Sequence, residues 1–246
     1  MKKLPLSFLF TVILVTTAPS AGFAKFTGMM DMMLKMPNGS AEITYFFGTG
    51  AQRMDMFMQL EKIPEPLKTT VITRESRPDE ALIVNHQART YSQVNLRTAA
   101  ENATLLDFDS NYKLSRAGTA VIKGYQCEHI LLTSSTEKLE LWTSKDVADF
   151  STFRLLQSQN PRLSNTSLAK TLKNSGIEGF PVKIVQHNDN GLYLMELMQV
   201  SSKPVAASAF AIPNGYRKTS PGQKAVDSTQ KKHLRNLMEK MKDFER

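Results

Sequence analysis

Alternation of apolar and polar residues at a period of two recurs along the chain from Phe26 to Val200. Successive side chains of a β-strand point to opposite faces of a sheet, so this pattern predicts strands. The turn residues Pro37, Asn38 and Gly39 separate two such segments, which is typical of consecutive antiparallel strands. The predicted strands cover residues 30–36, 43–47, 54–60, 69–74, 81–85, 89–94, 125–132, 139–142, 182–187 and 192–200. Residues 193–198 are apolar on both faces, so we expect both sides of the sheet to be covered there.

Helical patterns interrupt the strands between residues 145 and 173. Ser144 is the expected N-cap of a first helix, and Asn160 followed by Pro161 is the expected start of a second, which ends at Gly176 and Gly179. Together the patterns predict a mainly β (α+β) fold, a strongly curved antiparallel sheet with a helical insertion. The expected inward-facing helical residues are Val147, Phe150, Leu155, Leu163, Leu168 and Leu172.

The first 24 residues have the three regions of a secretory signal peptide. Lys2 and Lys3 precede an apolar run over residues 6–15, and small residues lead to Ala24. The run is shorter than the roughly 20 residues that cross a bilayer. A lipoprotein needs a cysteine at the cleavage point, and the only cysteine is Cys127. We therefore expect a periplasmic protein that begins near Lys25 and is not a lipoprotein.

Composition and motifs limit the kinds of chemical site that the chain can form. One cysteine excludes an intramolecular disulfide framework and any site of several thiolates, and the four histidines show no metal-binding spacing. The sequence contains no GxSxG, GxGxxG or GxxxxGK[ST] motif, and no carboxylate pair stands out. Residues 25–215 are nearly neutral, with 20 Lys and Arg against 19 Asp and Glu. The sequence therefore predicts a protein that is not an enzyme, uses no cofactor or metal and binds no nucleic acid.

Four short motifs occur in a fixed order after the signal peptide: Gly124-Tyr125-x-Cys127, Glu140-x-Trp142-Thr143, Gly179-x-Pro181-Val182 and Phe210-x-x-Pro213-x-Gly215-Tyr216. In this order they resemble an uncharacterised bacterial family of periplasmic domain-of-unknown-function proteins, which is similar to the lipoprotein carriers LolA and LolB. The resemblance covers about residues 26–217. It implies a domain over residues 25–217 that is an open half-barrel, with helices over a concave face that can enclose an acyl chain.

Methionine is concentrated near the start of the predicted domain, where eight of the twelve methionines after residue 24 lie between Met29 and Met58. Three interpretations remain open. The side chains are ordinary core, or they line a cavity for an apolar ligand of irregular shape, or their thioethers bind Cu(I). The candidate residues for a hydrophobic cavity are Met30, Met32, Met54, Met56, Met58 and Phe150.

Two other residues have alternative interpretations. Cys127 lies in a predicted strand, where a buried inert thiol is the simplest interpretation, and His129 is the only nearby base for a reactive one. Trp142 either packs under the helical insertion, which we favour, or lines the mouth of a cavity.

Residues 218–246 are predicted to form a basic tail with an amphipathic helix. From Tyr216 to Arg246 there are nine Lys and Arg against four Asp and Glu. The tail either docks on the body, or remains in solvent, or contacts an anionic membrane or an acidic envelope protein. The residues of this predicted contact are Leu234, Leu237, Met241, Phe244, Lys231, Lys232 and Arg235.

The leading hypothesis from the sequence is a non-enzymatic periplasmic carrier that binds a hydrophobic small molecule or lipid, such as an acyl chain. The alternative is an interaction or structural module of the cell envelope, with a packed core and a tail that binds a partner or membrane. A Met-rich Cu(I)-binding protein is the minor alternative. A cavity would favour the first hypothesis, and metal titration tests the third.

Overall fold

The computed structural model describes residues 26–96, 112–153, 167–188 and 191–220. The predicted signal peptide, the start of the second predicted helix and most of the tail lie outside these ranges. Within them, the chain forms one open sheet of twelve strands, which confirms the mainly β class. The strands are Gly28–Met36 (β1), Gly39–Gly48 (β2), Ala51–Leu60 (β3), Ile63–Arg74 (β4), Arg77–Asn85 (β5), Thr90–Asn95 (β6), Lys113–Ile122 (β7), Tyr125–Thr133 (β8), Glu137–Ser144 (β9), Phe180–Asn188 (β10), Gly191–Ser201 (β11) and Arg217–Thr219 (β12).

The order of strands across the sheet is β12-β6-β5-β4-β3-β2-β1-β11-β10-β9-β8-β7. Strands β1 to β6 and β7 to β11 are two antiparallel runs that meet where β1 pairs with β11. Met32 lies opposite Leu197 at this junction, and the register of the pair shifts between Asp31 and Met32. Only β12 is parallel to its neighbour β6, among the pairs that the structure describes. The first and last thirds of the chain therefore meet in the middle of the sheet.

Two strands were not predicted from the sequence. In β7 the register with β8 shifts between Arg116 and Thr119. A bulge of this kind adds residues to one strand, so the period-two pattern on which the prediction depends is lost. The other, β12, has only three exposed residues and no apolar pattern. Its formation depends on pairing with residues that lie far earlier in the chain.

The described helical residues differ in detail from the prediction. The predicted cap Ser144 is wrong, because it is the last residue of β9 and its hydroxyl accepts a hydrogen bond from the Asp146 backbone N–H in a turn. Asp149 takes the capping role, since Oδ1 accepts the Thr152 backbone N–H at 2.9 Å immediately before the helical residues 150–153. The α-helix Ser167–Asn174 (α1) lies within the second predicted helix and ends before Gly176.

Among the residues that the structure describes, two clusters of buried side chains lie against the sheet. The larger joins β1, β2, β10 and β11, with Met30, Ile43 and Leu197 at its centre. The smaller places Phe150 and Leu172, from the two helical segments, with residues of β8 and β9. The expectation that both faces of residues 193–198 are covered is wrong, because Met198 is 54% exposed.

Candidate functional site

The methionines of β1 and β3 lie on the same face of the sheet. Met30 and Met32 of β1 are opposite Tyr45 and Ile43 of β2, and these two are opposite Met54 and Met56 of β3. Directly paired residues point to the same side of a sheet, so the register extends this face in both directions. We call it the uncharged face. On β3 to β6 it consists of Gln52, Met54, Met56, Met58, Leu67, Thr69, Val71, Thr73, Ala81, Ile83, Asn85, Thr90, Ser92 and Val94.

The uncharged face continues across the centre of the sheet. Its members on β1, β2, β10 and β11 are Met30, Met32, Leu34, Ala41, Ile43, Tyr45, Phe47, Ile184, Gln186, Asn188, Tyr193, Met195, Leu197 and Val200. At these paired positions of the eight strands from β6 to β10, within the described part of the chain, no Asp, Glu, Lys, Arg or His occurs. The opposite face of the same strands, here the polar face, carries charged residues such as Arg53, Asp55 and Lys68. The sequence alternation therefore divides the sheet into two chemically distinct sides.

Burial varies along the uncharged face. At its centre Met30 is 0% and Met32 2% exposed, whereas Met54, Met56 and Met58 are partly exposed and pack against the same cluster. Beyond them Leu67, Val71 and Ile83 are also partly exposed. Burial of Tyr45 between these regions raises the pKa of its hydroxyl to about 12, so the hydroxyl stays neutral. Side chains of the uncharged face are therefore mostly buried on β1 and β2 and mostly partly exposed to solvent on β3 to β5.

Beyond β10 the same side of the sheet is closed by the helical residues. Phe150 and Leu172, 6% and 2% exposed, contact a cluster that contains Ile130 and Leu141, and these are 0% and 1% exposed. Phe150, a predicted cavity residue, is thus packed among other apolar side chains. Arg116 holds the chain after α1, because its guanidinium pairs with Glu128 and donates to the carbonyl of Gly176 at 3.2 Å.

The structure gathers the five predicted methionines on one face, and their proposed role as ligand contacts stays a prediction. Met30 and Met32 are interior residues, and Met54, Met56 and Met58 border them. The seven predicted contact residues of the tail lie outside the described residues.

The polar face of β3 to β5 is covered by residues 203–220, which we call the clasp. Arg53 binds Asp55 with two nitrogens, at 2.7 and 2.8 Å, and donates its third to the Ala209 carbonyl at 2.7 Å. Arg74 donates to the carbonyl of Phe210 at 2.9 Å. The Phe210 ring lies against Gly48, where an added Cβ would come within 2.5 Å of the ring. The clasp explains why Ile72, on the polar face, is only 1% exposed.

His86 joins the clasp to the strands. Its Nε2 is 2.8 Å from the Thr70 hydroxyl, which donates to Asp55 at 2.6 Å, and its Nδ1 is 3.0 Å from the Tyr216 hydroxyl. Because the Thr70 proton is directed to Asp55, Thr70 accepts from Nε2–H, and Nδ1 of a neutral ring accepts from Tyr216. Burial, followed by the positive charge of Lys68, lowers the pKa of His86. The network therefore favours neutral histidine.

A stacked pair of aromatic rings lies on the polar face of β8 to β10. Trp142 is stacked on His129, with ring centroids 4.3 Å apart, and the ammonium of Lys183 lies 5.2 Å from its ring centre. The favoured position of Trp142 under the helical insertion is wrong, because it alternates with Leu141, which faces the helical residues. The hydrogen bonds of Lys138 and His129 hold the pKa of the Glu140 carboxyl below its ordinary value.

Cys127 is buried, and its thiol donates to the Tyr125 carbonyl at 3.4 Å. Burial raises the pKa of the thiol, which disfavours the reactive thiolate. His129 does not serve as its base, since Nε2 of His129 is 2.9 Å from Glu140. The arrangement fits the inert interpretation of Cys127.

Polar sites of other kinds are limited in the described ranges. No group of three His, Cys, Asp or Glu in these ranges is placed to hold a metal ion. A polar pocket of about 550 Å³ lies beside β12, lined by Glu80, Gln93, Asn95, Lys218, Thr219 and Ser220. It lies apart from the methionines. No helix in the described part of the chain has the length and apolar character to cross a membrane.

A protein-family model matches the sequence over most of the domain. The family model described as "Domain of unknown function (DUF4412)" matches residues 26–216. The chain belongs to the DUF4412 family. This confirms the membership of an uncharacterised family that the four motifs indicated. No curated protein matches the sequence significantly.

Several solved structures are similar to the DUF4412 protein at very low sequence identity. An uncharacterized conserved protein from Thermus thermophilus has a TM-score of 0.46 and 6% identity, covering 78% of this chain and 89% of that one. The lipoprotein LppX from Mycobacterium tuberculosis has a TM-score of 0.40 and 10% identity, covering 73% and 89%. A putative outer membrane lipoprotein-sorting protein domain from Vibrio parahaemolyticus has a TM-score of 0.33 and 7% identity, covering 74% and 88%.

The clasp explains the last of the four sequence motifs of the DUF4412 protein. Phe210 and Tyr216 are the residues of the motif that touch the strands, through Gly48 and His86. Sequence reasoning missed Arg53, Arg74 and His86, which hold the clasp. Their only sequence signal is polar character on strands whose other face is apolar, and this does not identify a partner more than 100 residues away.

Proposed function

We propose that this DUF4412 protein is a non-enzymatic carrier that binds a hydrophobic molecule, such as an acyl chain, on its uncharged face. The observation that carries the proposal is the combination of two properties of β3 to β5. The face has no charged side chain, and its apolar residues, including Met54, Met56 and Ile83, are partly exposed. Apolar surface left in contact with water is available for burial by a ligand.

Hydrophobic burial supplies enough free energy for such a ligand. Transfer of each CH₂ group out of water contributes about 0.8 kcal/mol before the cost of ordering the ligand. Methionine suits this role, because its three rotatable bonds and polarizable sulfur adapt to irregular apolar shapes. The paired positions of this face carry no charged group that would bind an ionic headgroup, which fits a ligand recognised by its apolar length more than by its headgroup.

The position of the ligand follows from the difference in burial. The part of the face under Phe150 and Leu172 is filled, since their partners Ile130 and Leu132 are both 0% exposed. The methionines of β3 are accessible by comparison. In this proposal the ligand lies over β3 to β5. The buried Met30 and Met32 belong to the adjacent part of the same face and do not contact solvent.

A charge placed on each face in turn tests this proposal. Met56→Asp puts a carboxylate on the uncharged face, and Phe57→Asp puts the same group on the polar face of the same strand, where Phe57 is 45% exposed. An environment-sensitive fluorescent fatty acid is titrated into native protein and both variants after lipid removal. We expect Met56→Asp to weaken binding strongly and Phe57→Asp to leave it nearly unchanged.

Circular dichroism and thermal unfolding report whether each variant is folded at the temperature of the titration. Met58→Gln is a milder second variant if Met56→Asp unfolds. Failure of the folded native protein to bind the probe would contradict the carrier function and favour the packed interaction module. Stoichiometric Cu(I) binding without fatty-acid binding would favour the copper alternative, because thioethers are soft ligands.

We also propose that the carrier works in the periplasm and that its basic tail contacts an anionic membrane surface. The sequence supports this with nine Lys and Arg against four acidic residues after Gly215. Such an attraction weakens as salt rises. Co-sedimentation of full-length protein and a variant that lacks residues 223–246 with anionic vesicles, at low and high salt, tests it. Equal sedimentation of the two proteins would remove the membrane role.

A further inference from the structure

Three thioethers line the open part of the uncharged face. Met54, Met56 and Met58 lie at alternate positions of β3 and point to the same side. All three are partly exposed, while Met30 and Met32 on the same face are buried at 0% and 2% exposure. The face thus places oxidisable sulfur where a hydrophobic ligand would make contact.

Oxidation changes the chemistry of this surface. A peroxide transfers one oxygen atom to the thioether sulfur. The O–O bond breaks, an S=O bond forms, and hydrogen peroxide leaves as water. The product is a polar, chiral sulfoxide in place of an apolar side chain, and sulfoxide reductases reverse the change. The buried polar oxygen loses its hydration when a ligand covers it, which costs free energy.

We propose that Met54, Met56 and Met58 form an oxidation-sensitive site, at which conversion to sulfoxides by a peroxide releases the hydrophobic ligand and reduction restores binding. The inference rests on the proposed carrier function and adds a means of regulation to the same site. It depends on the partial exposure of these three residues and on the absence of charged residues at the paired positions around them. Met195 is also partly exposed on this face, but it lies on β11, which β1 and β2 separate from β3.

Other methionines provide internal comparisons. Met198 is 54% exposed, and its sulfur is 3.1 Å from the Lys123 ammonium. It lies between Leu197 and Gln199 at the register shift in β11, away from β3, so it is accessible to peroxide but outside the site. Met30 and Met32 are the slow-reacting reference because they are buried. A bound ligand should shield the three site methionines and leave Met198 unprotected.

The experiment uses the full chain, hydrogen peroxide at graded doses and the fluorescent fatty-acid probe. Peptide mass spectrometry measures sulfoxide at each methionine, and titration measures the affinity of the same samples. We expect affinity to fall severalfold as Met54, Met56 and Met58 are oxidised, and to recover after treatment with both stereospecific methionine sulfoxide reductases. We also expect saturating probe to slow oxidation of these three residues and not of Met198.

The matched control is the triple variant M54L/M56L/M58L, which keeps side-chain volume and removes the oxidisable sulfur. Its affinity for the probe before peroxide treatment is its own baseline, and this affinity should not change in peroxide while Met198 is oxidised. Equal loss of affinity in the variant, or full affinity of native protein after the three residues are oxidised, would overturn the inference alone. No probe binding by reduced, folded native protein would overturn the carrier function and the inference together. Ligand protection in the native protein provides a test that does not need the variant to fold.

Discussion

The Nδ1 atom of His86 lies 3.0 Å from the hydroxyl of Tyr216, a residue 130 positions later in the chain. This contact joins the clasp to the polar face of the strands whose other face carries Met54 and Met56. Asp55, between those two methionines, belongs to the same hydrogen-bond network through Thr70. The clasp and the proposed ligand surface are therefore two sides of the same strands.

The network predicts a dependence of stability on pH. The pKa of His86 is lowered by burial, then by Lys68, with a smaller opposite effect of Asp55 and a further lowering by Arg53. The unfolded chain, with a histidine pKa near 6.5, then binds more protons than the folded protein below about pH 7. The free energy of unfolding should therefore fall as the pH falls through about 6.5, until the folded histidine is also protonated. Urea unfolding between pH 5 and 8 measures this.

His86→Gln is the matched variant for this prediction, because the amide retains hydrogen-bonding groups and does not titrate. The decline in stability between pH 7 and 5.5 should be smaller in the variant. Tyr216→Phe should lower stability by about 1 kcal/mol at pH 7.5, as expected for one hydrogen bond. Identical pH profiles of native protein and His86→Gln would show that His86 does not contribute.

Two glycines with nearly the same φ angle predict very different costs of substitution. Gly179 has φ +82° and Gly124 has φ +85°. A Cβ at Gly179 would collide with the backbone of Ser144 and lie 2.6 Å from the Lys145 nitrogen, whereas at Gly124 it would meet nothing within 4 Å. Gly124→Ala should therefore cost only the left-handed conformation, about 1–2 kcal/mol. Gly179→Ala should cost clearly more in the same unfolding assay, and equal costs would refute the crowding at Ser144.

A buried and an exposed methionine should differ in their contribution to folding. Met30 is 0% exposed in the larger cluster, so Met30→Ala should lower stability by about 2–5 kcal/mol through lost burial and a cavity. Met198 is 54% exposed, so Met198→Ala should change stability by less than about 0.5 kcal/mol. Thermal and urea unfolding of both variants provide the comparison. A small effect at Met30 would contradict its place in the core.

The stacking of Trp142 on His129 predicts a change in fluorescence when the imidazole is removed. Trp142 is the only tryptophan in the chain, so its emission can be assigned without ambiguity. The ring centroids lie 4.3 Å apart and the ring planes are 7° from parallel, so loss of the imidazole in His129→Ala exposes a face of the indole to water. Emission of the variant should therefore shift to longer wavelength than that of the native protein. An unchanged emission spectrum in the folded variant would show that the rings are not in contact in solution.

The strands could be predicted from the sequence because their information is local. Residues such as Ile43, Tyr45 and Phe47 repeat at the period that a strand requires, and each has an apolar face regardless of its neighbours. The exceptions are β7, in which the bulge between Arg116 and Thr119 interrupts that period, and β12, whose three exposed residues have no apolar pattern. The first helix began at Asp149 and not at Ser144, because residues 145–147 form a turn after β9.

By itself, the sequence determined that the chain forms a mainly β protein of known family, with apolar strand faces rich in methionine. Only the tertiary structure decided that these faces align across eight strands without a charge in the described ranges, since alignment depends on register between distant strands such as β1 and β11. It also decided that Met30 is buried while Met56 is partly open, and that Tyr216 meets His86. Periodicity is a property of neighbours in the chain, whereas register, burial and the clasp depend on contacts that no local pattern specifies.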